Sequence, residues 1–163
     1  MSGKHTLIDV RVTKPDAASI IASRYDNKPD ALLEILHDLQ NEVGYVPEAS
    51  LPVLAKALNL SRAEVHGVVS FYHDFRRHPA GRHIVKVCRA EACQSMKGYE
   101  LAEAAEKTLK VKFGETTSDG AITLEAVYCL GLCATSPSML VDETPYGRMT
   151  PKKFEMLVKE LAS

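Results

Sequence analysis

Apolar residues recur at helical spacing through the first half of the chain. Residues 1–14 show no period and read as loose chain. A short helix-like run follows from Pro15 to about Tyr25, with Ile20 and Ile21 as its apolar points, and Asp26-Asn27-Lys28 breaks it. Pro29 and Asp30 suit the first turn of a second helix. Its face is Leu32, Leu36, Leu39 and Val43, widened by Leu33 and Ile35, and Gly44 is its stop. Pro47 and Pro52 bracket the start of a third helix carrying Leu51, Leu54, Ala55 and Leu58, with Asn59-Leu60 as the turn after it. Ser61-Arg-Ala-Glu64 is a capping box, in which the Ser61 hydroxyl accepts from the Glu64 N–H and the Glu64 carboxylate reaches back to the Ser61 N–H. Val65, Val68 and Val69 follow it. Helices this short need one another, so the pattern predicts a small bundle.

The pattern changes at Gly81. His83-Ile-Val-Lys-Val87 is a β-branched run that reads as a strand and delivers Cys88 at its end. Tyr99 to Lys110 reads as a helix with Leu101, Ala104, Ala105 and Leu109 on one face. Gly114 to Gly120 is rich in turn formers. Ala121 to Tyr128 alternates in part, through Ile122, Leu124 and Ala126, and ends at Cys129. Ser138–Val141 and Tyr146–Met149 suit a hairpin turning at Asp142-Glu-Thr-Pro145. Thr150-Pro151 opens a last helix with Phe154, Leu157, Val158 and Leu161 inward. The expected class is α/β: a helical domain over 1–80, then an α/β domain over 81–163. Each cysteine pair begins at the end of a predicted strand. If those strands are neighbours running the same way, both pairs meet at one end of the sheet.

Composition narrows the class of function. The chain has 163 residues, 45% hydrophobic and 25% charged, with a net charge of −1. That is ordinary for a globular protein and gives no electrostatic pull toward nucleic acid or anionic lipid. No apolar run approaches the roughly 20 residues needed to span a bilayer, so direct membrane insertion is not expected. Met1-Ser-Gly-Lys-His-Thr-Leu7 holds neither an apolar signal core nor an Arg-rich presequence, which points to the cytoplasm. A reducing compartment in turn disfavours two disulfides.

All four cysteines lie between positions 88 and 133, as Cys88/Cys93 and Cys129/Cys133. Ordinary buried cysteines would be scattered, so the grouping marks one metal or cluster site. Four thiolates suit tetrahedral zinc or an iron–sulfur cluster. Zinc knuckles favour about two residues between paired cysteines, whereas the gaps here are four and three. Wider loops suit a two-iron cluster in which each pair holds one iron beside bridging sulfides. Short loops close on one metal more easily than long ones. Cys88 and Cys93 are therefore expected on one iron and Cys129 and Cys133 on the other. Gly131 lets backbone approach sulfur. Leu130, Leu132 and Met96 are expected to shield the site, and Arg89 and Ser95 to offset its charge. A Cys-x-x-Cys redox pair is absent, which disfavours dithiol exchange.

Three other features compete for attention. Ser70-Phe-Tyr-His-Asp-Phe75 concentrates aromatics in a chain that is 6% aromatic, and is read as a seam between the two domains rather than a docking surface. His73, His78 and His83 are read as solvated or hydrogen-bonded, because four cysteines already complete a site. The helical half also resembles a helix-turn-helix unit. Its reading helix would offer Arg62, Glu64, Val65, Gly67 and Val68, which is poor in side chains that read base edges. An iron–sulfur DNA-binding regulator and a four-cysteine zinc interaction module are the alternatives of another class.

The spacing C-x4-C-x35-C-x3-C resembles that of the thioredoxin-like [2Fe-2S] ferredoxins. These include the 24 kDa-type subunit of respiratory complex I and its relatives in soluble NAD-linked hydrogenases and formate dehydrogenases. The resemblance extends to Leu58–Phe75, Gly114-Glu-Thr-Thr117, Val127-Tyr-Cys-Leu-Gly131 and Tyr146-Gly-Arg-Met-Thr-Pro151. Asp142-Glu143 departs from the Asp-Gly of some members. Within the family, Cys88-Arg-Ala-Glu-Ala-Cys93-Gln-Ser-Met96 looks most like the gamma subunit of soluble, molybdenum-containing, NAD-dependent formate dehydrogenases. The resemblance implies a thioredoxin-like α/β domain and one [2Fe-2S] cluster on Cys88, Cys93, Cys129 and Cys133. It also implies an electron-relay role with no turnover of the chain's own. FMN, NAD and molybdenum cofactor would lie on partner subunits only, among them a flavin- and NAD-binding subunit.

Overall fold

A computed structural model of the chain describes residues 14–161. The expectation for the first residues, 1–13, lies outside them. The chain divides between Pro79 and Ala80 into two compact units.

Among its described residues the first unit holds four helices: α1 (Lys14–Arg24), α2 (Leu32–Val43), α3 (Leu51–Ala57) and α4 (Arg62–Phe71). Single 3-10 turns, Pro29–Ala31 and Glu48–Ser50, lead into α2 and α3. Ile21, Ile35, Leu36, Leu39, Leu54, Leu58 and Val65 fill one continuous core. Two residues depart from the pattern reading: Ile20 and Leu33 face solvent. The 100° step per residue carries Ile20 and Leu33 off the stripes centred on Ile21 and Leu36. Gly44 ends α2 in the left-handed conformation, φ 88°, and the capping box opens α4 with both of its hydrogen bonds formed. Buried Gln40 fixes the segment after α4, since its Nε2 donates to the Asp74 carbonyl at 2.8 Å and its Oε1 accepts from the Arg76 N–H at 2.7 Å. The aromatic stretch splits: Phe75 joins this core, whereas Phe71 is 73% exposed.

The second unit is a four-stranded mixed sheet with three helices. Its elements are β1 (His83–Cys88), α5 (Glu91–Ser95), α6 (Gly98–Leu109), β2 (Ile122–Val127), β3 (Met139–Val141), β4 (Thr144–Tyr146) and α7 (Pro151–Leu161). Strand order is β2-β1-β3-β4, with β1 and β2 parallel and the other pairs antiparallel. Val85, Val87, Leu101, Ala105, Ile122, Leu124, Met139 and Phe154 form its core.

Three details differ from the pattern reading. The first cysteine loop contains a short helix, α5. In β2, Ile122, Thr123 and Leu124 are buried in succession instead of alternating. The cause is the Gly114–Thr117 segment, which folds back along the outer edge of β2. Gly114 N–H donates to the Leu124 carbonyl at 2.7 Å, Leu124 N–H to Glu115 at 3.0 Å and Thr117 N–H to Ile122 at 2.8 Å. This covers an edge that would otherwise offer unpaired backbone groups. The hairpin turn is also shorter than expected: Val141 pairs with Thr144, so only Asp142 and Glu143 turn. Asp142 takes φ 51° there. Its carboxylate accepts from the Ile84 N–H and meets His83 Nδ1, both at 2.8 Å, which ties the turn to β1.

Candidate metal centre

Strand register brings the two cysteine pairs together. β1 and β2 run parallel, and Cys88 lies opposite Val127. The ladder continues one step further, with Arg89 N–H donating to the Val127 carbonyl at 2.8 Å. Cys129 is two residues beyond Val127, so both loops leave the sheet at the same end. The third strand joins there too, because Cys88 N–H donates to the Ser138 carbonyl at 3.1 Å.

The pairs sit in different surroundings. Cys88 and Cys93 are each 2% exposed, whereas Cys129 and Cys133 face outward. Cys93 is carried on α5. Gly98 makes that position possible: a Cβ there would fall 2.5 Å from the Cys93 carbonyl oxygen and 2.7 Å from its carbon. In the second loop, Cys129 takes φ 105° and Gly131 φ 76°, which wraps the backbone around the Cys129 sulfur. Gly131 N–H then donates to that sulfur at 3.4 Å. Cys129 and Cys133 Sγ lie 3.7 Å apart, well beyond the ~2.05 Å of a disulfide.

Two serines join the loops. Ser138 Oγ lies 3.5 Å and Ser136 Oγ 3.7 Å from Cys93 Sγ. The Ser136 hydroxyl also donates to the Cys133 carbonyl at 2.7 Å. Burial pushes the Cys93 thiol up, but its hydrogen bonding with Ser138, Cys88 and Ser136 outweighs this and holds the thiol below its ordinary value. Cys133 is pushed up, first by its hydrogen bond with Cys129 and then by that neighbour's charge, with Cys93 and Cys88 adding to the rise.

Several sequence expectations change. Met96 is 58% exposed and shields nothing, while Leu130 and Leu132 are half-buried. The Arg89 guanidinium lies over the Phe113 ring, 5.0 Å from its centroid. The Ser95 hydroxyl is committed to the Ala92 carbonyl at 3.0 Å. Sequence reasoning missed Ser136 and Ser138, whose only signal was two hydroxyls flanking Pro137 just after Cys133. His83 is engaged with Asp142 and stands apart from the thiols.

The donor set fits a binuclear cluster. Thiolates are the ligands such clusters use, and each iron takes only two from the protein. No described helix is long and apolar enough to cross a membrane.

The family model of the thioredoxin-like [2Fe-2S] ferredoxins matches residues 18–162. The E subunit of NADH-quinone oxidoreductase from Escherichia coli K12 is 35% identical over 136 residues, covering 83% of this chain and 81% of the relative. Its namesake in Mycobacterium tuberculosis H37Rv is 38% identical over 148 residues, covering 91% of this chain and 58% of that longer relative. Among solved structures, an NAD+-reducing [NiFe]-hydrogenase in the H2-reduced state superposes with TM-score 0.71 at 20% identity. That match covers 83% of this chain but 23% of the hydrogenase chain, and it shows likeness of fold.

Proposed function

Because the chain belongs to the thioredoxin-like [2Fe-2S] ferredoxin family, we propose that it is the electron-relay subunit of a soluble, molybdenum-containing, NAD-linked formate dehydrogenase, its gamma subunit. The family carries a [2Fe-2S] cluster, and in this reading Cys88 and Cys93 hold one iron and Cys129 and Cys133 the other. When bound, the cluster supplies a centre that accepts and releases one electron. The chain's own groups hold and surround that centre. Buried Cys88 and Cys93 anchor one side away from water. Exposed Cys129 and Cys133 leave the other side open, where a partner's redox group could approach. The observation that carries the reading is the pairing of Cys88 with Val127 across two parallel strands. It brings to one sheet end two cysteine pairs that 35 intervening residues separate in the sequence.

The relatives are components of multisubunit assemblies, and partners are assigned accordingly: a flavin- and NAD-binding subunit with FMN, and a molybdenum subunit. The chain would act in the cytoplasm, where NAD(H) and a reducing poise are found. The formate assignment is supported by the loop from Cys88 to Met96. A second reading, the equivalent subunit of complex I or of an NAD-linked hydrogenase, is supported by the 35% identity to the Escherichia coli relative. Anaerobic purification from the source cell tests both. The protein should be reddish-brown, bleach on reduction, and hold about two irons and two acid-labile sulfides per chain. Formate-dependent NAD reduction by the co-purified assembly supports the first reading. Quinone reduction by NADH, or hydrogen uptake, with no response to formate overturns it in favour of the second.

A further inference from the structure

Ser138 stands out among the groups near the thiols. It is 1% exposed, yet carries a hydroxyl. That hydroxyl faces Cys93 Sγ at 3.5 Å. The Ser138 carbonyl accepts from the Cys88 N–H at 3.1 Å, so one residue touches both cysteines of the buried pair.

Ser136 is placed differently. Its proton is committed to the Cys133 carbonyl at 2.7 Å, and toward Cys93 its oxygen accepts. A metal-bound Cys93 has no proton to give, so Ser136 offers that sulfur little. Ser138 still has a proton to donate. Water cannot replace it, because Cys93 is itself 2% exposed.

We infer that Ser138 is the positioning residue that sets the reduction potential of the cluster, its hydroxyl donating to the Cys93 thiolate. This inference rests on the cluster reading above. Reduction adds one electron and hence one negative charge, spread in part onto the sulfurs. A donor to sulfur stabilises the reduced state more than the oxidised one. Removing it makes the centre harder to reduce.

The test is a one-electron reductive titration of the full chain with dithionite, in a redox buffer of fixed poise. It is followed by visible bleaching and by the EPR signal of the reduced cluster. Three variants are compared with the unmodified protein: Ser138→Ala, Ser138→Thr and Ser95→Ala. Ser138→Ala should lower the reduced-to-oxidised ratio about tenfold, equal to about 59 mV for a one-electron couple. Ser138→Thr, which keeps the hydroxyl, should restore the ratio, and Ser95→Ala should leave it unchanged. A Ser138→Ala protein with a full cluster and the unmodified ratio overturns the inference alone. So does loss of the cluster in both Ser138 variants, which would make the residue purely structural. An unmodified chain without iron or sulfide overturns the cluster reading, and this inference with it.

Discussion

Gly147 lies against Thr135, with no room between them for a side chain. A Cβ on Gly147 would fall 2.6 Å from the Thr135 hydroxyl oxygen and 2.7 Å from its Cβ. Arg148 N–H donates to the Thr135 carbonyl at 2.6 Å, and Met149 N–H to that of Pro137 at 2.9 Å. The segment after β4 therefore clamps the loop that carries Cys133.

Gly147→Ala should push that loop outward. Overpacking of this kind costs about 1–3 kcal/mol, and the displaced loop should hold metal less well. Iron content per chain and thermal unfolding of the purified variant check both effects. A variant with full iron content and unchanged melting would show that the clamp does not matter.

Gly98→Ala should be the more damaging change. The clash there is with the Cys93 backbone, 2.5 Å from its carbonyl oxygen, and backbone cannot rotate aside. Destabilisation of about 3 kcal/mol is expected. Gly44→Ala is the comparison: it meets nothing within 4 Å but sits at φ 88°, where a side chain costs about 1–2 kcal/mol. Denaturant unfolding of the two variants should rank them in that order.

Cys133→Ser and Cys93→Ser should each impair cluster assembly, seen as loss of visible absorption and of iron. Substitution of an exposed free thiol would leave both intact. An unaltered cluster spectrum in Cys133→Ser would remove that residue from the ligand set.

Stability should fall on the acid side through the capping box. The Ser61 N–H and then the Ser61 hydroxyl hold the Glu64 carboxyl below its usual value. A carboxyl lowered in the folded state favours folding above its unfolded pKa, about 4.3. That contribution is lost as pH falls through the folded value. The Thr117 hydroxyl and the Ala121 N–H act on Asp119 in the same sense. Melting temperatures from about pH 5 down to about pH 3 should drop less steeply in Glu64→Gln than in the unmodified protein.

Local features were legible in the chain because their causes are local. The face of α2, the stop at Gly44 and the Ser61–Glu64 box each depend on residues within a turn or two, whose spacing alone fixes who meets whom. The grouping of four cysteines was likewise visible, since thiols placed in pairs have few other uses.

Tertiary structure decided the rest. Nothing in the order of residues says that Ser138 faces Cys93, 45 positions earlier, or that Gly147 closes on Thr135. Those meetings follow from β3 pairing beside β1, and β1 beside β2. Solvation decided Met96 as well: an apolar side chain beside a ligand reads as a shield until the fold turns it to water. The chain thus determined which groups could bind metal. Strand register, a property of segments far apart in sequence, determined how they are arranged and which hydrogen bonds surround them.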